Sequence, residues 1–121
     1  MSSRILSYML ALIFFASGAA KLLSLPFEVE AFARWGYSIE FMYFTGAIEL
    51  LGAVGLLLPR LSSFTSVCLG GLMLGAMATH LAHNEWLMFS VASAIALAAF
   101  WRGWSGREQI RQLISTLGRK Q

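Results

Sequence analysis

The stretch IEFMYFTGAIELLGAVGLLL, residues 39–58, decides the fold. A helix needs about 20 mostly apolar residues to cross the hydrocarbon core of a bilayer, and this stretch supplies them before Pro59-Arg60 stops it. Near its middle stands one carboxylate, Glu49. A charge at the centre of a spanning helix costs about 2.5–3.5 kcal/mol on insertion scales, so such a residue reads as a functional site. Three further stretches have the same character, at about residues 5–23, 61–82 and 86–101. Backbone groups in lipid must be satisfied within the chain, which leaves helices as the form for such runs. The expectation is an all-α protein, a transmembrane four-helix bundle making a single domain of residues 1–121.

Composition agrees. Hydrophobic residues make up 58% and charged residues 12%, against about 45–50% and about 25% in soluble domains. A single cysteine, Cys68, excludes an intrachain disulfide or a Cys-x-x-Cys dithiol, and with it electron transfer on a cysteine pair of this chain alone. The net charge of +3 comes from basic residues gathered to one side of the spans, which excludes a nucleic-acid patch.

The same residues set an orientation. With both termini inside, Arg4, Arg60, Arg102, Arg107, Arg111, Arg119 and Lys120 face the cytoplasm, and only Lys21 and Arg34 face out. Seven against two is a positive-inside bias. It predicts a multi-pass membrane protein, N-in and C-in, with Trp35 and Trp86 at the outer interface and Trp101 and Trp104 at the inner one. The rival reading is a cleaved signal peptide: basic Arg4, an apolar core over Ile5–Ala16 and small residues Ser17-Gly18-Ala19. It leaves three spans and puts the arginine-rich tail outside, against the charge bias.

Two amphipathic segments flank the spans. Over about residues 26–37, Phe27, Ala31, Phe32 and Trp35 recur at helical spacing, with Glu28, Glu30 and Arg34 opposite, Glu30 and Arg34 forming an i,i+4 pair. This predicts a short helix on the outer face. Over about 105–118, Ser105 and Glu108 fit a capping box ahead of Ile110, Leu113, Ile114 and Leu117, which predicts a cytoplasmic surface helix drawn to anionic lipid, either an anchor or a docking surface.

Glu49 shares a helix face with Met42, Thr45, Gly46, Gly52 and Ala53, small enough for a neighbouring helix to approach, so it faces protein. Ser17, Gly18 and Lys21 share a face of the first span, and Gly71, Gly75 and Thr79 form a small-xxx-small stripe on the third. A rise of about 1.5 Å per residue sets Lys21, His80 and His83 near the outer surface and Glu49 roughly 10–15 Å below it. The expectation is an outward-opening pocket with Glu49 as floor and candidate acid/base, and Lys21, Thr45 and His80 as ligand-binding candidates. Each has a plainer reading: Lys21 snorkelling to headgroups, Glu49 as an interhelical hydrogen bond, His80 at a helix end. If Glu49 is ionised, Lys21 is the cation within reach. His80-x-x-His83 with Glu85 has the look of a metal half-site without a clear third ligand, so no metal is assigned. Cys68 reads as a small packing residue on the Gly71 face, and Met73 and Met77 as packing residues.

The motifs have a family resemblance. Ser17-Gly18-Ala19-Ala20-Lys21-Leu22, then Gly46-Ala47-Ile48-Glu49-Leu50-Leu51-Gly52 with Leu56-Leu57-Leu58-Pro59-Arg60, then Ala76-Met77-Ala78-Thr79-His80, resemble in order and spacing the DoxX-like family over about residues 10–100. Its motif falls here on Gly18, Lys21, Glu49, Gly52, Pro59 and His80. The resemblance implies a small four-helix membrane protein, as its mostly bacterial members are. It further implies a link to membrane redox assemblies, since the family name comes from a subunit of a thiosulfate:quinone oxidoreductase and other relatives act with soluble thiol and superoxide-handling enzymes. Animal relatives behave as chaperones for receptor assembly. This chain departs in having no soluble catalytic domain and one cysteine, so an oxidoreductase role needs a bound quinone or a partner enzyme.

Three functions follow as expectations. The first is a redox accessory holding a quinone-like or other small apolar molecule in the outer half of the bundle, with a membrane or soluble redox partner protein. The second is a non-catalytic assembly factor or chaperone docking another membrane protein, with Glu49 and the glycine faces, Gly46 included, building the bundle. The third, a transporter or channel, needs a homo-oligomer and lacks an inverted repeat or broken helix to mark a site.

Overall fold

The computed structural model describes residues 3–119, and Lys120, counted above among the inner cations, lies outside them. Four long helices, α1 (Ser3–Leu22), α3 (Ile39–Leu57), α4 (Ser62–Ala82) and α5 (Trp86–Ser105), have the length and apolar composition to cross a membrane. Two shorter ones, α2 (Pro26–Trp35) and α6 (Arg107–Arg119), flank them. The chain is a four-helix membrane bundle, as its sequence predicts. Its outer faces are apolar without being covered, Leu12, Leu51 and Leu97 among them, the surface a bilayer solvates.

Local chemistry sets the joints. Pro26 opens α2 at its first position, where the missing N–H is no loss. Gly36 closes it with φ of 83°; its N–H bonds the Ala33 carbonyl and that of Tyr37 bonds Phe32, a Schellman cap. Ser38 then caps α3, its hydroxyl accepting from Phe41 N at 3.1 Å. Between α4 and α5, Asn84 turns through φ of 58° and brings the Glu85 N–H back to the His80 carbonyl at 2.9 Å.

The long helices pack most closely as two pairs, α1 with α3 and α4 with α5. The two pairs meet around a dry core at the end where α1 starts and α5 finishes: Leu10 and Phe14 of α1, Ala53 and Leu56 of α3, Leu69 of α4, Ala99 of α5. α2 lies against α3 and α1 at the opposite end. There the two pairs diverge, and a cavity of about 600 Å³ opens between them.

Glycine fixes the α1–α3 approach. A Cβ on Gly18 would lie 2.7 Å from the Gly46 carbonyl oxygen, so the two backbones touch. The Gly71–Gly75 stripe predicted on the third span makes no such contact: a Cβ at either would meet open space, and Gly71 is exposed. The glycine of α4 that packs is Gly70, under the Phe100 ring. Cys68 is likewise exposed, on the outside of the bundle and not in a packed face. A stripe of small residues has two sides on a helix wheel, and the chain buries the neighbouring register through Ser66, Leu69 and Gly70.

The amphipathic segments also differ in detail from expectation. On α2, Phe27 is exposed, and Glu28 and Phe32 are the buried residues. Arg34 turns from Glu30 to Glu85, 2.7 Å away. Ser105 closes α5, its hydroxyl donating to the Arg102 carbonyl, and α6 begins two residues later. α6 is tied down by Gln109, whose Oε1 accepts from Ser63 N at 2.9 Å and from the Ser62 hydroxyl at 3.2 Å and whose amide donates to the Pro59 carbonyl. Ile114 and Leu117 stay exposed on α6.

Candidate functional site

The cavity has two polar walls. The first is built where α1 and α3 cross. Side chains on a helix lean toward its N-terminus. Because α1 and α3 are antiparallel, Lys21, one turn beyond Gly18, leans down into the bundle, and Glu49, one turn beyond Gly46, leans up to meet it. Lys21 Nζ lies 2.8 Å from Glu49 Oε1 and donates to the Ser17 hydroxyl at 2.8 Å. The ammonium also donates to Glu28 Oε2 of α2 at 3.1 Å. All three charged side chains are buried, Glu49 most deeply, at 3% exposure. One lysine thus faces two carboxylates. The approach to Glu49 is an ion pair by distance without hydrogen-bond geometry, so Glu49 Oε1 accepts no hydrogen bond.

The second wall belongs to α4 and the α4–α5 turn. His80 Nδ1 bonds Glu85 Oε1 at 2.8 Å. The same carboxylate accepts from Trp35 Nε1 at 3.0 Å and from Arg34 Nη2 at 2.7 Å. The hydrogen bond from His80, then those from Arg34 and Trp35, hold the Glu85 carboxyl at a pKa of about 2 against the pull of burial. This clamp joins α2 to the far helix pair. Trp35, predicted as an interfacial ring, is half-buried in the cavity wall.

Between the polar walls the lining is apolar and aromatic. Phe32, Trp35, Tyr37 and Phe41 form a continuous ring cluster with neighbouring centroids 5.2–6.2 Å apart, and the Trp35 ring meets His80 edge-on at 5.3 Å. Met73 and Ile95 complete the walls toward the core, and Met88 and Val91 line the exposed start of α5. A volume of this size lies in the range of sites for small molecules, about 300–1,000 Å³.

The structure brings together four predicted residues, Lys21, Thr45, Glu49 and His80, on one cavity. Thr45 uses its proton on the Phe41 carbonyl at 2.9 Å, leaving its oxygen as an acceptor. His83 does not join them: it is exposed, with Nδ1 bonded to the Thr79 carbonyl at 2.9 Å, so the two histidines of the half-site go to different partners. Sequence reasoning missed Glu28, placing it on a solvated face. Its signal was the Glu28, Phe32, Trp35 spacing, which puts a carboxylate in line with two large rings. It also missed the buried Arg102 at the opposite end, whose Nε, Nη1 and Nη2 donate to the hydroxyls of Ser7, Ser63 and Ser62 at 2.6, 2.8 and 2.7 Å. The signal there was a set of serines, Ser7, Ser62, Ser63 and Ser66, in otherwise apolar spans.

Fold and site define a small polytopic membrane protein with an open cavity between its helix pairs, walled in part by buried ion pairs. The chain belongs to the DoxX-like family, whose model matches residues 5–102. That match contains all but the ends of the two helix pairs and every residue of the two polar walls. No curated protein and no solved structure matches the chain.

Proposed function

We propose that the protein takes a small, largely apolar molecule carrying a polar head into the cavity at the α2 end, with Glu28, Glu49 and Lys21 on one side of the head and His80 and Glu85 on the other. The observation that carries this reading is the cavity of about 600 Å³ beside a buried carboxylate oxygen that accepts no hydrogen bond. A bundle needing only internal glue has no use for that space. Close packing, as at Leu10, Phe14 and Leu56, is the cheaper arrangement. The positive-inside count supports placing this cavity in the outer half of the membrane, with both termini cytoplasmic, and the resemblance to mostly bacterial proteins supports reading that membrane as a bacterial inner membrane.

A redox accessory role is the finer form of this reading and rests on the family resemblance. A quinone matches the cavity in size. The donor set matches it poorly: a quinone carbonyl needs an N–H or O–H donor, the Lys21 ammonium already bonds Ser17 and Glu28 and faces Glu49, and the Thr45 proton goes to Phe41, which leaves His80 as the donor candidate. A molecule that itself donates, or carries charge, suits these walls better.

The test is binding of an uncharged environment-sensitive fluorophore to the full chain in nanodiscs, with Ala76→Trp projecting into the cavity. Saturable binding by the wild type that is lost in Ala76→Trp is expected. Identical titration of both proteins, or none beyond empty nanodiscs, overturns the reading.

A further inference from the structure

We infer that the cavity selects organic cations: an ammonium-type head seated among Glu28, Glu49 and the aromatic rings of α2 and α3, with its apolar body along α4 and α5. The inference rests on the binding role proposed above and narrows it to one class of ligand.

Three independent observations converge. The first is charge. The side chains lining the cavity include four carboxylates, Glu28, Glu30, Glu49 and Glu85, against two permanent cations, Lys21 and Arg34, with His80 the one further basic group. Arg34 is committed to Glu85 and Lys21 is shared by two carboxylates, so with both of them ionised the Lys21 wall carries one negative charge in excess. A buried carboxylate without its own counter-ion is expensive, and an entering cation relieves it. The second is a buried carboxylate on the cavity wall. Glu49, its side chain 3% exposed, lines this space, and its Oε1 accepts no hydrogen bond among the described residues although Lys21 Nζ lies 2.8 Å away. A cationic head in the cavity gives that carboxylate a second positive neighbour, which no quinone carbonyl can do.

The third is the ring cluster. Phe32, Trp35, Tyr37 and Phe41 line the same cavity as the carboxylates. Aromatic faces attract cations through their quadrupole, and the attraction grows when water is excluded. Carboxylate and aromatic walls together are the recognition chemistry of amine and quaternary-ammonium ligands. The two permanent cations on these walls are already paired with carboxylates, so the walls favour a cation over an anion.

The experiment compares two ions of the same shape and opposite sign, tetraphenylphosphonium and tetraphenylborate, on the full chain in phosphatidylcholine nanodiscs, with empty nanodiscs subtracted. Phosphonium is expected to bind at least about tenfold more tightly than borate. Glu28→Gln and Glu49→Gln are each expected to weaken phosphonium binding by about tenfold or more, while Glu108→Gln on α6 leaves it unchanged. Circular dichroism and gel filtration check that the variants fold, and the wild-type comparison needs no variant. Equal binding of the two ions overturns the inference and means that protons, not a ligand, neutralise the carboxylates. Uptake of the neutral fluorophore with neither ion retained overturns the inference and leaves the binding role standing. Loss of fluorophore and both ions together removes both.

Discussion

Replacing Lys21 by Met strips from Glu28 and Glu49 the only cation paired with them among the described residues. At 2.8 Å and an effective dielectric near 20, the gross attraction of Lys21 for Glu49 is about 6 kcal/mol. Desolvation of both groups offsets much of it, and breaking a buried pair from one side typically costs about 3–5 kcal/mol because a bare charge remains. Here two like charges remain, so Lys21→Met is expected at the upper part of that range. The carboxylates are not symmetric with the lysine. Either Glu28→Gln or Glu49→Gln leaves a one-to-one pair and is expected within about 1 kcal/mol of the wild type. Combining Lys21→Met with both glutamines removes all three charges and should recover most of the loss, as neutral replacement of buried ion pairs often does. Unfolding free energies in mixed dodecyl maltoside and dodecyl sulfate micelles measure all five proteins. A Lys21→Met protein as stable as the wild type, or a triple variant no better than Lys21→Met alone, refutes the charge accounting of this wall.

Other perturbations follow from the same geometry. Gly18→Ala forces a methyl against the Gly46 carbonyl and should lose about 1–3 kcal/mol by the same micelle titration. Gly71→Ala and Gly75→Ala, where a methyl meets open space, should stay within about 0.5 kcal/mol or gain. Glu85 contributes stability with a defined sign. Its folded pKa of about 2 lies below the ordinary 4.5, so its contribution is complete above about pH 4.5 and is lost as pH falls toward 2. Acid titration followed by tryptophan fluorescence should show that limb in the wild type and a flatter one in Glu85→Gln; superimposable curves count against the His80–Glu85–Arg34 clamp. At the other end, Arg102→Lys cannot reach three hydroxyls with one ammonium in the planar fan of a guanidinium, and should lose about 1.5–3 kcal/mol for each bond given up. Full stability in Arg102→Lys would show that the serine cluster does not depend on the guanidinium fork.

The spans were legible because bilayer length and backbone satisfaction leave little freedom: predicted 39–58 and 61–82 against helices at Ile39–Leu57 and Ser62–Ala82. Lys21 and Glu49 were legible because each sits one turn beyond a glycine, and those glycines are where the backbones meet. The rest turned on rotations about a helix axis, which periodicity fixes poorly when a whole helix is apolar. Gly70 and Gly71 differ by one residue, yet only Gly70 is under Phe100. Glu28 was misplaced for a different reason. An acidic residue on a short amphipathic helix ordinarily faces water, and only the turn through Pro26 that lays α2 over the end of α1 brings it back onto Lys21. Arg102 was absorbed into the positive-inside count, where an arginine that binds serines looks the same as one that binds headgroups.

Native mass spectrometry of the protein extracted gently from its own membrane tests the central claim most directly. The account predicts a small molecule retained by the wild type, of cationic mass and charge behaviour, and absent from Ala76→Trp purified in parallel. A wild-type chain that emerges empty from the mildest extraction, or an Ala76→Trp chain carrying the same adduct, contradicts a ligand in the cavity between the two helix pairs.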